Sequence, residues 1–371
     1  MLSAAEKARY SRHLLIPEIG EAGQLCLKKS SVLLIGAGGL GSSAALYLAA
    51  AGVGRVGLID PDTVDLSNLH RQLLHSDATI GKSKLDSAAV RLRETNPHLV
   101  LDLHPFRFTP ENAIRIAENY DIILDGSDNF STRFLANDTA FLLKKPLVYG
   151  AIHRFDGQLT VFAPHLGGPC YRCLLPEIPA PGSIPSCAEA GVLGVLPGII
   201  GSWQAMEVIK LILGIGDPPI GEILIYDALR SSFRSLKLAR DHACRLCGVN
   251  PTITSVSNTE TLESPNCAIH NPTMQTMTAA ELKARLDSGK LNALLIDVRE
   301  IDEWEMDHIP QAKLIPLQTI PAHADALPKD TEIIIHCKAG MRSARACEYL
   351  ISLGFENVTN VTGGMDAFRK L

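Results

Sequence analysis

Residues 30–50 read SSVLLIGAGGLGSSAALYLAA. An apolar, β-rich run from Val32 to Ile35 meets a cluster of glycines, Gly36, Gly38, Gly39 and Gly41, and a helix-like stretch follows. Strand, glycine turn and helix in this order let a backbone approach phosphates, whose charge the loop amides and the helix N-terminus favour. Asp60 ends the next β-rich run, "RVGLID", where a carboxylate can accept hydrogen bonds from ribose hydroxyls. Glycine cluster and acid together predict a nucleotide site, and they leave NAD, FAD and ATP open.

The residues downstream narrow the choice. "DTVDLSNLHRQLLHSDATIGKSK" offers Asn68, Arg71, Gln72 and Lys84 in quick succession. A dinucleotide whose diphosphate is already neutralised has little use for further cations. A triphosphate being cleaved needs donors to hold the departing pyrophosphate, and Arg71 and Lys84 can supply them. "DIILDGSDNFSTR" then places Asp125 and Asp128 at the end of another strand, the edge where open α/β sheets bind ligands. A bare carboxylate about 4 Å from a phosphate charge costs roughly 4 kcal/mol at an effective dielectric near 20. If Asp128 faces phosphates, a cation must lie between, and Mg²⁺ suits oxygen ligands. Asp125 is expected to cap the following helix.

The 371 residues are long enough for two domains. With 46% hydrophobic and 20% charged residues the chain is globular in composition, and a formal net charge of −5 argues against nucleic acid or an acidic membrane surface as the main partner. "MLSAAEKARYSRHLLIPEIG" has no apolar core run of the secretory kind. The most membrane-like stretch, Ala190 to Met206, carries Pro197 and several glycines between Glu189 and Glu207 and is expected to be buried loop and helix. No membrane partner and a cytoplasmic location follow as expectations.

Up to about residue 250, β-branched apolar runs ("VLLIGAG", "RVGLID", "LVLDLHP", "DIILDGS", "PLVYGAI") alternate with helix-like stretches, the pattern of a parallel sheet covered by helices. Residues 249–275 are rich in Thr, Ser, Asn and Pro and predict a linker. A second, smaller α/β unit follows, over 276–371. Thr278 and Glu281 have capping-box spacing, "ALLIDV" and "EIIIHC" predict buried strands, and "SARACEYLISLGF" sets Ala346, Leu350 and Leu353 on one helical face.

Nine cysteines include two CxxC pairs, Cys170/Cys173 and Cys244/Cys247. Such pairs can meet as a four-thiolate tetrahedron, act as redox motifs, or be unrelated thiols. Cys187 follows a Pro- and Gly-rich stretch and is open between a working thiol and a bystander. Cys337 stands between a strand and a helix, where the amides of "CKAGMR" and the helix N-terminus lower a thiol's pKa, with Arg342 adding charge at the rim. Cys26, Cys267 and Cys347 are expected to be small buried hydrophobes.

The set "RHLLIPEIG", "GAGGLG", "LID", "SNLHRQ", "GKSK", "DGSDNF" and the two CxxC pairs, in order over nearly all of residues 1–250, resembles the adenylating domain of the ubiquitin-activating-enzyme superfamily, above all its bacterial sulfur-carrier adenylyltransferases. The resemblance implies a Rossmann-like domain over 1–248 that uses ATP to adenylate a small carrier's C-terminal Gly-Gly. It puts Gly38, Asp60, Asn68, Arg71, Lys84 and Asp128 on nucleotide and catalytic positions, with Asp128 on Mg²⁺. Arg12 falls where a partner subunit reaches across to the phosphates, which implies a homodimer. The same resemblance favours Zn²⁺ at the four cysteines, in a structural role. "LLIDVREIDEWEMDHIPQAKLIP" and the Cys337 loop resemble a single rhodanese domain. A related phosphatase class separates its cysteine and arginine by five residues. Here four, Lys338 to Met341, intervene, which suits sulfane sulfur, and Asp297 and Arg299 would support the loop's geometry. Some fused relatives carry an aspartate where Arg342 stands, which leaves the sulfur donor open among thiosulfate, a cysteine desulfurase and another persulfide. The two resemblances together imply adenylation followed by sulfur transfer from a Cys337 persulfide, for molybdopterin biosynthesis ahead of thiamine or cysteine pathways. A redox enzyme, a thioester-forming activator working through Cys187, and a non-catalytic docking role for the last domain are the alternatives.

Overall fold

The computed structural model describes residues 1–179, 191–256 and 275–370, less positions 290, 292, 330 and 356. The chain divides into two compact units, Met1–Glu263 and Ser264–Leu371. In the first, eight strands form one sheet: β1 Ser31–Ile35, β2 Arg55–Ile59, β3 Val100–His104, β4 Ile122–Asp125, β5 Leu147–His153, β6 Asp156–Phe162, β7 Glu222–Asp227 and β8 Ser232–Lys237. Their order is β3-β2-β1-β4-β5-β6-β7-β8.

From β3 to β5 the neighbours are parallel, with Val32 opposite Val56 and Ile122. Val32 to Ile35 and all of β4 are buried, as a sheet covered on both faces requires of β-branched and leucine-rich strands. The chain runs β1, β2, β3 to one side, then returns to lay β4 on the other flank of β1. A crevice therefore opens at the carboxyl ends of β1 and β4, where the strand order reverses. β6, β7 and β8 extend the sheet as an antiparallel meander that the sequence reading does not anticipate. β8 is largely exposed, with Phe233 and Leu236 among its outward residues, so its pattern lacks a buried face to announce it.

Helix Gly39–Ala51 leaves the glycine loop and ends at Gly52, which takes the left-handed conformation (φ 88°) that a C-cap needs. Helix Val195–Leu213 packs on it. By length and composition this is the one described helix long and apolar enough to cross a membrane. Its Leu196, Ile200, Ala205 and Val208 are buried, as expected for this stretch, and Glu207, also buried, pairs with Lys210 at 2.8 Å. The two helices touch at Gly201, where a Cβ would overlap the carbonyl oxygen of Leu40. Ile253 and Val256, within the polar 249–275 stretch, are buried against the first unit.

The second unit is a five-stranded, fully parallel sheet in the order β11-β10-β12-β13-β9, formed by β9 Gln275–Thr278, β10 Ala293–Asp297, β11 Lys313–Leu314, β12 Glu332–His336 and β13 Val358–Thr362. Helix Ala279–Asp287 begins with the expected capping box, Glu281 N–H donating to Thr278 Oγ1 at 3.2 Å and Thr278 N–H to the Glu281 carboxylate at 2.7 Å. In helix Met341–Ser352, Ala346 and Leu350 are buried, but Leu353 is 40% exposed. The helix stops at Ser352, so Leu353 occupies the C-cap and leaves the apolar face.

Gly201→Ala is expected to destabilise the first unit by about 2 kcal/mol, because overpacking outweighs the gain in helix propensity. Urea unfolding followed by circular dichroism would read it.

Candidate functional site

At the reversal point lies a cavity of about 500 Å³. Among the residues singled out from the sequence, Gly36, Gly38, Gly39, Asp60, Arg71, Gln72, Lys84 and Asp128 line it. Gly41, Asn68 and Arg12 do not. Gly41 stands behind the loop, where a Cβ would overlap the carbonyl oxygen of Gly36. Asn68 ends a short 3₁₀ turn, and its carbonyl accepts the N–H groups of Arg71 and Gln72, both at 3.0 Å. Arg12 is exposed on the short helix Ser11–Leu14.

The carboxylate of Asp60 fixes the loop. Its Oδ2 accepts the N–H of Ala37 at 2.8 Å and its Oδ1 that of Asp62 at 2.9 Å. Lys84, 7% exposed, is held at 2.9 Å by Asp62 and 3.8 Å by Asp60, so its ammonium is carried into the wall by two carboxylates. Arg71 is steadied by the Ser67 carbonyl at 2.8 Å. Buried Gln72 keeps its Oε1 without a partner among the described residues. Asp128 is exposed on the wall with no ion-pair partner among them.

Asp125 does not cap the helix after it. It is fully buried, and its Oδ1 accepts Ser127 N–H and Oγ–H at 2.9 and 2.6 Å. The cap of helix Phe130–Leu142 is Asn129, which accepts Thr132 N–H at 2.9 Å. Burial pushes the Asp125 carboxyl up, against the pull of Arg133. Arg133 is not among the residues that the sequence motifs single out. It lines the cavity, with Nε 4.0 Å from Asp125 and its guanidinium 5.6 Å from the centre of the Tyr149 ring. Its signal lay at the end of the quoted "DNFSTR", one helical turn beyond Asn129.

The two CxxC pairs meet. All four thiols lie within 4.8 Å of one another, with Cys170–Cys173, Cys170–Cys244 and Cys173–Cys247 at 3.9, 3.6 and 3.4 Å. A tetrahedron with sulfurs about 2.3 Å from an ion has edges of about 3.8 Å, so the set fits a four-thiolate metal site. Arg172, between the first two cysteines, forms a buried fork with Asp138 at 2.9 and 2.8 Å and anchors that side of the cluster.

In the second unit Cys337 follows β12, and helix Met341–Ser352 starts just beyond it. The sulfur accepts Gly340 N–H at 3.1 Å and Ser343 Oγ–H at 3.4 Å. Burial pushes the thiol up, but the Ser343 hydroxyl and the amides of Ser343, Gly340 and Ala339 outweigh it and hold the pKa below the ordinary value. Asp297, the last residue of the adjacent β10, and Arg299, just beyond it, form a buried pair at 2.7 Å, and Arg299 also donates to the Asp307 carbonyl at 2.8 Å. Neither hydrogen-bonds the sulfur among the described residues. Arg342 does not stand open at the rim. Glu303 takes both ends of its guanidinium. Cys347 is buried as expected, whereas Cys26 is exposed, because it falls on the outer face of helix Gly20–Lys29. Cys187 and Cys267 lie outside the described residues.

Two domain families match these two units. Residues 10–246 match the ThiF family and residues 278–371 the rhodanese-like domain. The chain belongs to the ThiF family, in the form that joins an adenylyltransferase domain to a rhodanese-like domain, and it is an enzyme of that adenylyltransferase and sulfurtransferase class. It is 45% identical over 376 residues to the probable adenylyltransferase/sulfurtransferase MoeZ of Mycobacterium tuberculosis, covering 100% of this chain and 94% of that protein. It is 40% identical to the adenylyltransferase and sulfurtransferase MOCS3 of Culex quinquefasciatus, over 100% of this chain and 88% of that one. The sulfur carrier protein adenylyltransferase of Thermus thermophilus is 52% identical over 251 residues, 67% of this chain and 93% of its own length. Among solved structures, E. coli MccB crystallised with ATP superposes with a TM-score of 0.56 at 21% identity, over 66% of this chain and 75% of that one, a likeness of fold.

Ser343→Ala is expected to raise the pH midpoint of Cys337 alkylation, since it removes one hydrogen bond that favours the thiolate. The pH profile of iodoacetamide labelling, read by mass spectrometry, measures the shift.

Proposed function

We propose that this enzyme adenylates the C-terminal glycine of a small ubiquitin-like sulfur carrier and then hands it sulfur from Cys337. The observation that carries this reading is one chain holding both a cation-lined cavity at the nucleotide end of its sheet and a thiol cradled by amides in a rhodanese-like loop. In the first step a carboxylate oxygen of the carrier attacks the α-phosphorus of ATP, and the bond to the bridging oxygen breaks. Arg71 and Lys84 hold the charge of the departing pyrophosphate. Asp60 and the loop of Gly36, Gly38 and Gly39 position the nucleotide, with Gln72 beside it, and Asn68, outside the cavity, holds the Arg71 and Gln72 amides. Asp128 is the carboxylate suited to Mg²⁺, which would offset phosphate charge there. Arg12 is exposed and outside its own chain's cavity, which supports a homodimer in which the partner subunit's Arg12 contacts the phosphates.

In the second step the terminal sulfur of a Cys337 persulfide attacks the acyl carbon. AMP leaves with its oxygen, and an acyl disulfide joins carrier and enzyme. A second thiol, with Cys187 as candidate, attacks the Cys337 sulfur, the thiocarboxylate leaves, and an external dithiol reduces the disulfide left behind. Domains at 1–248 and 276–371, joined by 249–275, keep both sites on one chain. The carrier proposed is the small subunit of molybdopterin synthase, with a thiamine- or cysteine-pathway carrier as the alternative outcome, and the location is the cytoplasm. The four cysteines hold Zn²⁺ structurally.

Four outcomes test this. With carrier, ATP, Mg²⁺ and a persulfide donor, mass spectrometry should show one carrier oxygen replaced by sulfur. Cys337→Ser should abolish that product yet keep carrier-dependent ATP–pyrophosphate exchange, while Lys84→Gln should slow exchange about 10²- to 10³-fold. Retained sulfur transfer in Cys337→Ser would remove the persulfide step, and dinucleotide binding in place of ATP the whole scheme. Cys244→Ser should lose the zinc that elemental analysis finds in the parent and lower the thermal midpoint by roughly 10 °C or more.

A further inference from the structure

We propose that Glu303 selects the sulfur donor: by holding Arg342 in a two-point ion pair it cancels the cation at the mouth of the Cys337 loop, disfavours doubly charged inorganic donors, and leaves Cys337 to be loaded by a singly charged thiol persulfide. This rests on the sulfur-transfer function proposed above.

The pairing is specific in geometry. Arg342 Nη1 lies 2.6 Å from Glu303 Oε2, and Nη2 lies 2.7 Å from Oε1. Both ends of the fork that a guanidinium presents to an oxyanion are therefore occupied by a carboxylate from helix Ile301–Met306. Arg342 faces three negative groups, Glu303, the Cys337 thiolate and Glu300, and each raises its pKa. Hydrogen bonding to Arg342 holds the Glu303 carboxyl down at about 2, so it is ionised wherever the enzyme works. The loop's other cation, Lys338, is exposed. The sulfur is meanwhile held by neutral donors, the Gly340 N–H and the Ser343 hydroxyl. The loop's neutral donors thus carry the main stabilisation of an anionic sulfur, Arg342 adds a coulombic share, and toward what approaches from outside its charge is offset by Glu303.

The two donor classes respond differently to that offset. With thiosulfate, the Cys337 thiolate attacks the outer sulfur, the S–S bond breaks, and sulfite leaves with the bonding pair: S₂O₃²⁻ + Cys–S⁻ gives Cys–S–S⁻ + SO₃²⁻. With a persulfide, R–S–S⁻ + Cys–S⁻ gives Cys–S–S⁻ + R–S⁻. The first donor brings two negative charges beside a thiolate and needs a cation at the mouth. The second brings one on its terminal sulfur and carries the rest of its recognition elsewhere.

The test is loading of Cys337 in the full-length chain, from thiosulfate and from cysteine persulfide, read by mass spectrometry of the Cys337 peptide at about 20 and 200 mM salt. Glu303→Gln keeps the side chain's shape and one hydrogen bond while freeing the charge. It should raise kcat/KM with thiosulfate about tenfold, through KM, and change loading by cysteine persulfide less than about threefold. The gain should shrink at the higher salt. Placed on Arg342→Gln, Glu303→Gln should give no gain, whereas a merely structural effect of Glu303 would persist there. Equal gains with both donors, no gain with thiosulfate, or a gain that survives Arg342→Gln would each overturn the proposal. If neither donor loads the parent or the variant, the sulfur-transfer function fails together with the selection. Carrier-dependent ATP–pyrophosphate exchange and the thermal transition of each variant show whether the chain is folded.

Discussion

The hydrogen bond from the Ala37 amide to the Asp60 carboxylate, at 2.8 Å, is the constraint on which the cavity at the strand reversal depends. It ties the loop leaving β1 to the end of β2. The Gly36 N–H, donating to the Ile59 carbonyl at 2.8 Å, makes a second tie between the same two strands. With the loop held down, helix Gly39–Ala51 starts at the correct height over the sheet, and Gly41 can sit against the Gly36 carbonyl. The same carboxylate takes the Asp62 amide, and Asp62 in turn holds Lys84. One buried acid therefore positions the glycine loop and, through its neighbour, a cation that would face phosphate.

The two units hold negative charge by different means. In the first, side-chain cations do it: Lys84, Arg71 and Arg133 reach the cavity, and Lys84 and Arg133 each approach a carboxylate of the protein. Those carboxylates keep the cations in place, offsetting part of the cost of desolvating them, until a more highly charged ligand competes for them. In the second, the backbone does it. The loop after β12 turns amides and one hydroxyl onto a single sulfur, and Arg342 is engaged by Glu303. A triphosphate with several charges calls for the first arrangement, and one sulfur that alternates between thiolate and persulfide suits the second.

Much of this was legible in the chain. The parallel strands announced themselves because burial on both faces demands unbroken apolar, β-branched runs, and the capping box at Thr278 and Glu281 because it is a local exchange of hydrogen bonds. Cysteine pairs are similarly conspicuous. Legibility failed where a position's fate depends on distant neighbours. Asp125 and Asn129 both have the chemistry of a helix cap, and only the depth of β4 buries the first and leaves the second to do it. Cys26 and Cys347 are the same residue type on helices, and their opposite burial follows from which helical face meets the core.

By itself the sequence determined two α/β units, the glycine turn with its acid, the cysteines available to a metal and the thiol before a helix, because each is written in residues close along the chain. Tertiary structure alone decided that β4 returns beside β1 to open the cavity, that Arg133 lines it, that Cys170, Cys173, Cys244 and Cys247 converge, and that Glu303 closes on Arg342. Those outcomes join segments far apart in sequence, and their geometry is set by sheet order and helix packing, which no local pattern encodes.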